Sequence, residues 1–306
     1  ENVGGYINAY TSKEMTAYYA RVLENDVPLA IDVISDILLN PIFDQRELET
    51  ERGVILQEIG QSLDTPDDVI FDWLQEAAFP DQPLGRTILG PSELVKNFSR
   101  EDLLEFVSEQ YGPEQMVLSA AGSVDHEKIV SQVKLLFDKK EPISKAAMIS
   151  SKYNGGEKQV DKNLEQAHFA LAFEAPGYRD ETIYTSQIYS IALGGGMSSR
   201  LFQEIREKRG LCYTIFAQGG AYSDTGLLTI YSGTSADSLK DLSDITISEM
   251  KRMAIDFEQI ELDRARVQMK AGLLMGLESA SARAERLARM LTIWDRIPTL
   301  DEIVKK

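Results

Sequence analysis

Hydrophobic and polar positions divide the first half of the chain into short strands and helices. The pattern predicts strands at about 6–10 and 16–22, helices at about 27–39, 44–62, 69–79, 99–111 and 125–137, and a short buried strand at 115–121. Ser99, followed three residues later by Asp102, is typical of a helix that begins with a capping box. The order of these segments predicts a domain that mixes helices with strands.

The second half resumes this patterning after an interruption. Residues 138–156 are mostly polar and have no period, which is typical of a linker. We therefore predict an α+β chain with an N-terminal domain at 1–137 and a C-terminal domain at 157–306. The segments predicted beyond the linker are strands at about 158–162 and 168–174, helices at 181–193 and 199–209, hairpin strands at 212–219 and 226–233, a helix at 238–253, a long helix or helix pair at 258–294, and one last helix.

Length and composition agree with two globular domains. A chain of 306 residues exceeds the usual size of one domain, and no apolar run approaches the ~18 residues of a membrane span. The net charge of −17 argues against a nucleic-acid partner, because phosphate contacts need clustered lysine and arginine. Cys212 is the only cysteine, which excludes an internal disulfide and favours a reducing compartment. We expect a cytoplasmic protein, with the periplasm or an organelle matrix as alternatives.

The segment ERGVILQEI places two acids in the apolar arc of a predicted helix. A helix turns about 100° per residue, so Glu51 and Glu58 lie almost above one another, in the arc that also holds Val54 and Ile55. The pattern predicts that both carboxylates face inward, where removal from water is costly unless a cation or hydrogen-bond donors meet them. An arginine partner or a position at the edge of the core would explain them, and so would a functional site.

An internal repeat favours the functional site. ELETERGVILQEI at 47–59 resembles ELDRARVQMKAGL at 261–273, and each segment follows a predicted hairpin and helix. In the second copy Ala265 and Gly272 replace the two acids. A structural need for the acids should appear in both copies, whereas a site that is built once needs them once.

The two copies also differ in extent. The second copy has two strands and a helix before its hairpin, whereas the first copy begins at the hairpin, and the second copy stops before the first one does. The comparison predicts a fragment of a longer polypeptide, with roughly fifty residues before Glu1 and more after Lys306.

Three motifs carry a resemblance to a known family: YINAYTSKEMTAYYARV, ERGVILQE and LGGGMSSRLFQEIREKRGLCYTI. With this layout the whole chain resembles the pitrilysin and mitochondrial processing peptidase family of zinc metallopeptidases (inverzincins), and within it the small bacterial members. The resemblance implies two homologous α/β-sandwich domains of the LuxS/processing-peptidase-like type. It also implies that the first domain lacks its N-terminal strands and its helix with the H-x-x-E-H zinc motif.

The resemblance implies a role for each acid. Glu58 would be the third ligand of a zinc ion, Zn²⁺, in the complete protein, and Glu51 the nearby acid that supports the site. His126 and His168 are isolated and lie outside any H-x-x-E-H motif, so each is interpreted as an ordinary surface or sheet residue. We therefore expect this chain by itself to bind little or no zinc and to be inactive.

The other two motifs supply substrate contacts by the same resemblance. Asn8, Ala9 and Tyr10 would pair with the backbone of an extended peptide by β-augmentation, although the residues alone equally suggest a plain hairpin. Arg206 and Tyr213 match the family's pair from the second domain, in which the arginine holds a peptide carbonyl and the tyrosine stabilises the oxyanion. Composition alone would make them a solvated charge and a strand aromatic.

The glycine run at 194–196 allows two interpretations. It could cradle a phosphate at a helix N-terminus. A helix capped by Ser198 or Ser199 and closed by Gly210 is sufficient to explain the segment.

The function that the resemblance implies is a zinc-dependent endopeptidase that cleaves peptides or presequences in a chamber between the two domains. Its partners would be a peptide or unfolded polypeptide as substrate and a second subunit, in a homodimer or in a heterodimer with a related chain. The alternative from the same family is a non-catalytic subunit that scaffolds a complex or presents substrate, and a peptide-binding module without chemistry is a third possibility.

Overall fold

The computed structural model describes residues 2–138, 143 and 148–305. Its elements, in chain order, are β1 (Tyr6–Thr11), β2 (Thr16–Arg21), α1 (Val27–Leu39), α2 (Gln45–Asp64), α3 (Pro66–Ala78), α4 (Ser92–Asn97), α5 (Arg100–Gln110), α6 (His126–Phe137), β3 (Ala167–Ala175), α7 (Ile183–Gly194), a π-helical turn (Phe202–Glu207), β4 (Cys212–Ala221), β5 (Gly226–Thr234), α8 (Leu239–Asp256), α9 (Gln259–Gly276), α10 (Ala280–Trp294) and α11 (Leu300–Lys305). The mixture of helices and antiparallel strands confirms the predicted α+β class.

The chain forms two compact units, and each draws on both halves of the sequence. Unit 1 consists of Glu1–Gly60, Ile88–Met148 and Gly276–Ile297. Unit 2 consists of Gln61–Thr87, Ile149–Met275 and Pro298–Lys306. The sequence-based division at a linker stays a prediction, because part of 138–156 lies outside the described residues.

Unit 1 combines a two-stranded hairpin with packed helices. Strands β1 and β2 pair antiparallel, from Tyr6 opposite Arg21 to Thr11 opposite Thr16. Helices α1 and α6 pack together, and the Gln132 side chain in α6 donates a hydrogen bond to the Pro28 carbonyl at 2.7 Å. Together these contacts bury part of each helix, with Ile31 and Ser35 on α1 and Ile129 on α6 almost fully covered.

The predicted capping box is confirmed at the start of α5. The Ser99 hydroxyl accepts a hydrogen bond from the Asp102 backbone N–H, and the Asp102 carboxylate accepts one from the Ser99 backbone N–H. The Ser99 hydroxyl also donates to this carboxylate and lowers the pKa of Asp102.

Unit 2 is built around a three-stranded antiparallel sheet in the order β3, β5, β4. The central strand β5 is buried along its whole length, because it pairs on both edges and is covered on both faces. One face carries the main apolar core, to which α7, the π-helical turn, α8 and α9 contribute. Its largest fully buried side chains are those of Leu193, Leu201, Ile205, Ile230 and Leu242.

Helix α3 covers the opposite face of this sheet. Its Phe71 ring lies 6.2 Å from the Phe216 ring and 5.3 Å from the Tyr231 ring. Just beyond the helix, Phe79 is 0% exposed and packs with Leu84 and Leu227. Unit 2 therefore depends on a segment that the sequence analysis assigned to the N-terminal domain.

Most predicted elements are confirmed within a few residues, and two strands are wrong. Residues 116–121 and 158–162 belong to no helix or strand, and Gln115 ends a 3₁₀ turn; no neighbouring strand among the described residues offers these segments a ladder. The long helical pattern at 258–294 is a pair of helices, since Ser279 caps the start of a new helix at Ala280. The repeat is confirmed as a shared order of elements, hairpin, short 3₁₀ turn and two helices, in both halves.

None of the helices in the described ranges combines the length and the apolar character that are needed to cross a membrane.

The role of Phe79 can be tested by truncation. Phe79→Ala should lower the free energy of unfolding by about 3 to 5 kcal/mol, because it removes a fully buried ring and leaves a cavity against Leu84 and Leu227. Urea denaturation followed by circular dichroism measures the change. Leu135→Ala, at a side chain that is 81% exposed, is the control and should stay within about 0.5 kcal/mol. Equal stability of the two variants would contradict this account of unit 2.

Candidate functional site

The two acids of α2 are exposed, which corrects the inward orientation predicted from the helical wheel. Only the face of α2 that is centred on Ile59 is buried. Glu51 and Glu58 lie about 80 to 100° around the helix from Ile59. Val54, on the same side as the acids, is exposed as well. Neither carboxylate has an ion-pair or hydrogen-bond partner among the described residues, so both are free to bind a ligand.

Arg52, one of the two arginines of α2, serves another purpose. Arg52 donates to the carbonyl oxygens of Val95 and Phe98, the latter at 2.7 Å, and pairs with Glu49 at 3.2 Å. Its guanidinium therefore fastens α2 to the segment around α4. Arg52 is therefore not the arginine partner that was one explanation for the two acids.

Strand β1 has the exposure that a peptide-binding edge needs. All six of its residues are exposed, and the described residues pair it with β2 alone. The Ala9 backbone N–H donates to the Asn8 side-chain oxygen at 2.8 Å, so a polar side chain of the strand itself occupies this donor. The Tyr10 hydroxyl donates to Glu285 at 3.2 Å, and burial followed by the charge of Glu285 raises the pKa of Tyr10.

Arg206 and Tyr213 lie together in unit 2, as the resemblance implies. The Arg206 guanidinium is 4.5 Å from the centre of the Phe202 ring and 5.1 Å from the centre of the Tyr213 ring. Such contacts attract the cation to the ring faces and restrict its orientation. Tyr213 is 79% exposed, so its hydroxyl is accessible beside a fixed positive charge. This pair can hold a carbonyl or an oxyanion from solution.

A β-bulge explains why Tyr213 points to solvent. Cys212 lies opposite Thr234 and Thr214 lies opposite Gly233, which leaves Tyr213 without a partner in the ladder. Further along β4, Ile215 and Ala217 face the core, and an unbroken alternation would turn Tyr213 to that side as well. The bulge changes the phase, so that Cys212 packs against the core instead. Burial raises the pKa of the Cys212 thiol.

The segment that carries Arg206 is also irregular. Residues Phe202–Glu207 form a π-helical turn in which the Lys208 N–H donates to the Gln203 carbonyl. Such turns are rare and occur frequently at functional sites. Gly210 has φ of +61° and ends the helix, as predicted. Sequence reasoning missed both irregularities and Phe202, although the i, i+4 spacing of Phe202 and Arg206 could have suggested their contact.

The glycine run has a structural role. A Cβ atom on Gly194 would lie 2.3 Å from the Ala217 nitrogen. The end of α7 can approach β4 this closely only because position 194 is a glycine. The Ser199 hydroxyl donates to the Gly196 carbonyl at 2.6 Å and closes the turn before the next helix. The run is therefore explained by packing, without a phosphate.

The two histidines are placed as the sequence analysis interpreted them. His126 is the exposed first residue of α6, and the His168 ring in β3 shares a hydrogen bond of 2.9 Å with the Tyr231 hydroxyl. Within the described residues, no group of three or more His, Cys, Asp or Glu side chains could hold a metal ion. Glu58 supplies a free carboxylate, which fits one ligand of a zinc site but not a complete set.

Comparison with known proteins places both halves of the sequence in one family. Residues 1–92 match the model described as "Insulinase (Peptidase family M16)", and residues 97–269 match the model described as "Peptidase M16 inactive domain". An "Uncharacterized zinc protease" of Rickettsia bellii is 39% identical over 306 residues, which is all of this chain and 74% of that protein. A "Probable mitochondrial-processing peptidase subunit beta" of Arabidopsis thaliana is 38% identical over 317 residues, which covers 98% of this chain and 60% of that protein.

A solved structure shares the fold. The crystal structure of a protease from Helicobacter pylori superposes with a TM-score of 0.84 at 22% sequence identity, and the match covers 96% of this chain and 74% of that one. The likeness extends over both halves of the chain and confirms the expected fold.

The structural explanation of the glycine run predicts opposite effects at two glycines. Gly194→Ala should destabilise the protein by about 1 to 3 kcal/mol, because the new methyl group collides with β4. Gly272→Ala, in a helix where nothing lies within 4 Å of the added atom, should stabilise it by up to about 1 kcal/mol. Thermal unfolding of the two variants measures both.

The same experiment includes an arm for the phosphate interpretation. Unfolding is repeated in inorganic phosphate and in chloride of equal ionic strength. A rise in the melting temperature of the unmodified protein that is specific to phosphate and absent from Gly194→Ala would contradict the structural explanation.

Proposed function

Because the chain belongs to peptidase family M16, we propose that it forms the substrate-handling part of a zinc-dependent endopeptidase that acts on peptides or unfolded polypeptides. The single observation that supports this most directly is the Arg206 and Tyr213 pair, held between a π-helical turn and a β-bulge with its polar groups accessible. Bacterial relatives are named zinc proteases, and the Arabidopsis relative is named a processing peptidase subunit, which supports the class of reaction.

Glu58 is proposed as a zinc ligand and Glu51 as the acid beside it. Both are exposed on one side of α2 without a competing partner among the described residues, as a ligand and its support require. When bound, zinc would polarise the scissile carbonyl and activate a water molecule. The described residues bring together no complete ligand set, so the remaining ligands would have to come from an H-x-x-E-H motif that the 306 residues do not contain.

Arg206 and Tyr213 are proposed to act on the substrate carbonyl. A guanidinium is always charged and can donate two parallel hydrogen bonds, which suits a peptide carbonyl. A phenol hydroxyl can donate to the oxyanion of the tetrahedral intermediate, where a fixed donor stabilises the transition state more than the ground state. The guanidinium lies over both the Phe202 and the Tyr213 ring, which limits its motion before the substrate arrives.

Asn8, Ala9 and Tyr10 are proposed to bind the substrate backbone. The exposed strand β1 offers an edge on which an extended peptide can add a further strand. The Asn8 side chain, which accepts from the Ala9 N–H, would be displaced when a peptide carbonyl takes its place. Enclosure of the substrate by the two domains, as the resemblance implies, stays a prediction.

A non-catalytic subunit is the second candidate function. Residues 97–269 match a model that is described as an inactive domain, which is the observation that favours this candidate. Such a subunit would present a peptide on β1 while a related chain, in a heterodimer, supplies the zinc. The name of the Arabidopsis relative, a β subunit, supports assembly with another chain.

The zinc proposal predicts a result that metal analysis can check. The 306-residue chain should retain far less than one zinc ion per molecule after dialysis, because one carboxylate is a poor site for a metal that takes about four ligands. Stoichiometric zinc in this chain would contradict the ligand assignment.

The Glu58 assignment is tested in the gene product that includes any residues encoded before Glu1. If an H-x-x-E-H motif is present there, zinc should bind, and Glu58→Gln should remove most of it. Glu49→Gln is the matched control, since Glu49 lies on the other side of α2 in a surface pair with Arg52. Retention of zinc by Glu58→Gln would show that Glu58 is not a ligand.

The Tyr213 proposal is tested by removing one hydroxyl. In the same gene product, Tyr213→Phe should lower kcat for peptide hydrolysis by about ten- to a thousandfold with zinc content unchanged, because one oxyanion donor is lost. Tyr189→Phe in α7 is the control, and its kcat should not change. An unchanged kcat in Tyr213→Phe would leave this tyrosine an ordinary strand residue.

A further inference from the structure

Two buried hydroxyl groups bracket the bulge that carries Tyr213. The Thr234 hydroxyl donates to the Leu211 carbonyl at 2.6 Å, and the Ser232 hydroxyl donates to the Thr214 carbonyl at 2.9 Å. Ser232 is 0% exposed and Thr234 is 3% exposed, so both donor side chains are shielded from water. The two carbonyls lie on the two sides of the one residue that the ladder skips.

We propose that Ser232 and Thr234 are positioning residues that hold the bulge open and thereby aim the Tyr213 hydroxyl at the substrate. This inference rests on the proposed role of Tyr213 in the reaction. The side chain of Tyr213 is too exposed to be fixed by packing, so its direction is set by the backbone from which it extends and by its contact with Arg206.

The alternative register shows what the hydroxyls prevent. A strand without the bulge would return Tyr213 to the alternation of Ile215 and Ala217, both of which are buried in the core. A bulge disturbs the ladder that would otherwise bond the backbone carbonyls beside it, and carbonyls that are partly shielded from water gain from another partner. Two hydroxyls from the central strand supply partners at the two flanking carbonyls, which favours the bulged register over the regular one.

Variants at Thr234 separate the hydroxyl from the shape of the side chain. Thr234→Val keeps the shape and removes the hydroxyl, whereas Thr234→Ser keeps the hydroxyl. In the gene product, Thr234→Val should lower kcat by about ten- to a hundredfold, the effect of a displacement of about 1 Å, with a much smaller change in KM. Thr234→Ser should restore most of the lost kcat, and Ser232→Ala should act in the same direction as Thr234→Val.

A matched control tests whether the loss of any buried threonine hydroxyl would lower kcat. Thr246 is as deeply buried in α8, and its hydroxyl donates to the Leu242 carbonyl at 2.8 Å within the same helix. Thr246→Val should leave kcat unchanged. An equal loss in Thr246→Val would overturn the proposal, since any buried hydroxyl would then serve.

A double-mutant cycle distinguishes positioning from a merely structural role. If Thr234 acts through Tyr213, Thr234→Val should have no further effect on kcat in a Tyr213→Phe background, because the group it positions is already gone. A further loss of the same size in that background would overturn the proposal.

A spectroscopic readout makes the test independent of activity. The Arg206 side chain lies over the Phe202 and Tyr213 rings, so its NMR resonances should be shifted upfield by the ring currents. Tyr213→Leu, which removes the ring, shows which part of this shift arises from residue 213. Thr234→Val should remove that part, whereas Thr234→Ser and Thr246→Val should retain it. An unchanged shift in Thr234→Val would overturn the proposal.

The two readouts also separate this inference from the proposed function. If Tyr213→Phe leaves kcat unchanged, the catalytic role of Tyr213 fails, and the Arg206 shift still decides whether Thr234 holds the ring. If Tyr213→Phe lowers kcat while Thr234→Val changes neither kcat nor the shift, the proposed function stands and the positioning role is overturned.

Discussion

The arrangement of unit 2 follows from one constraint, which is that β5 lies in the middle of a three-stranded sheet and is buried from end to end. A strand in this position must pair on both edges and be covered on both faces, because unpaired backbone groups are costly away from water. Helix α7 and the π-helical turn cover one face, and α3 covers the other. The bulge in β4 is therefore placed against a strand that cannot shift to accommodate it, so the adjustment falls on β4 itself.

A second constraint fixes the helix that carries Arg206. Arg200, almost buried, donates two hydrogen bonds of 2.6 Å to the Glu261 carboxylate at the start of α9 and further ones to Asp256 at the end of α8. The hydrogen bonds that Arg200 donates lower the pKa values of both carboxyls. The same bonds, those to Glu261 most of all, raise the pKa of Arg200 against the opposing effect of burial. Removing one partner of such a cluster would leave an uncompensated charge, so the segment before Phe202 is anchored to two helices.

The pattern of apolar and polar residues predicts elements whose start, period and end are all encoded within the segment. It does not predict features that depend on a partner elsewhere in the chain. Helix α1 was predicted at 27–39 and lies at Val27–Leu39, since its period, its proline and its end signal all lie within the segment. The apolar residues at 115–121 resemble a strand, yet strand formation needs a neighbour that the pattern cannot reveal. The bulge at Tyr213 escaped prediction for the same reason, because the two hydroxyls that bracket it come from Ser232 and Thr234, about twenty residues further along.

The comparison of Glu51 with Ala265 shows how one repeated unit could acquire different roles in its two copies. Ala265 is 1% exposed and belongs to the main core of unit 2, where a carboxylate would be desolvated without a cation. Glu51, at the matching position of α2, is exposed. The first copy therefore tolerates an acid at this position, whereas the second copy needs a small apolar side chain. The inward orientation of the acids was predicted by assuming that an apolar arc must be covered along its whole width. In the structure only the side of α2 around Ile59 is buried. The rest of the apolar arc is exposed to solvent, and the two free carboxylates lie there.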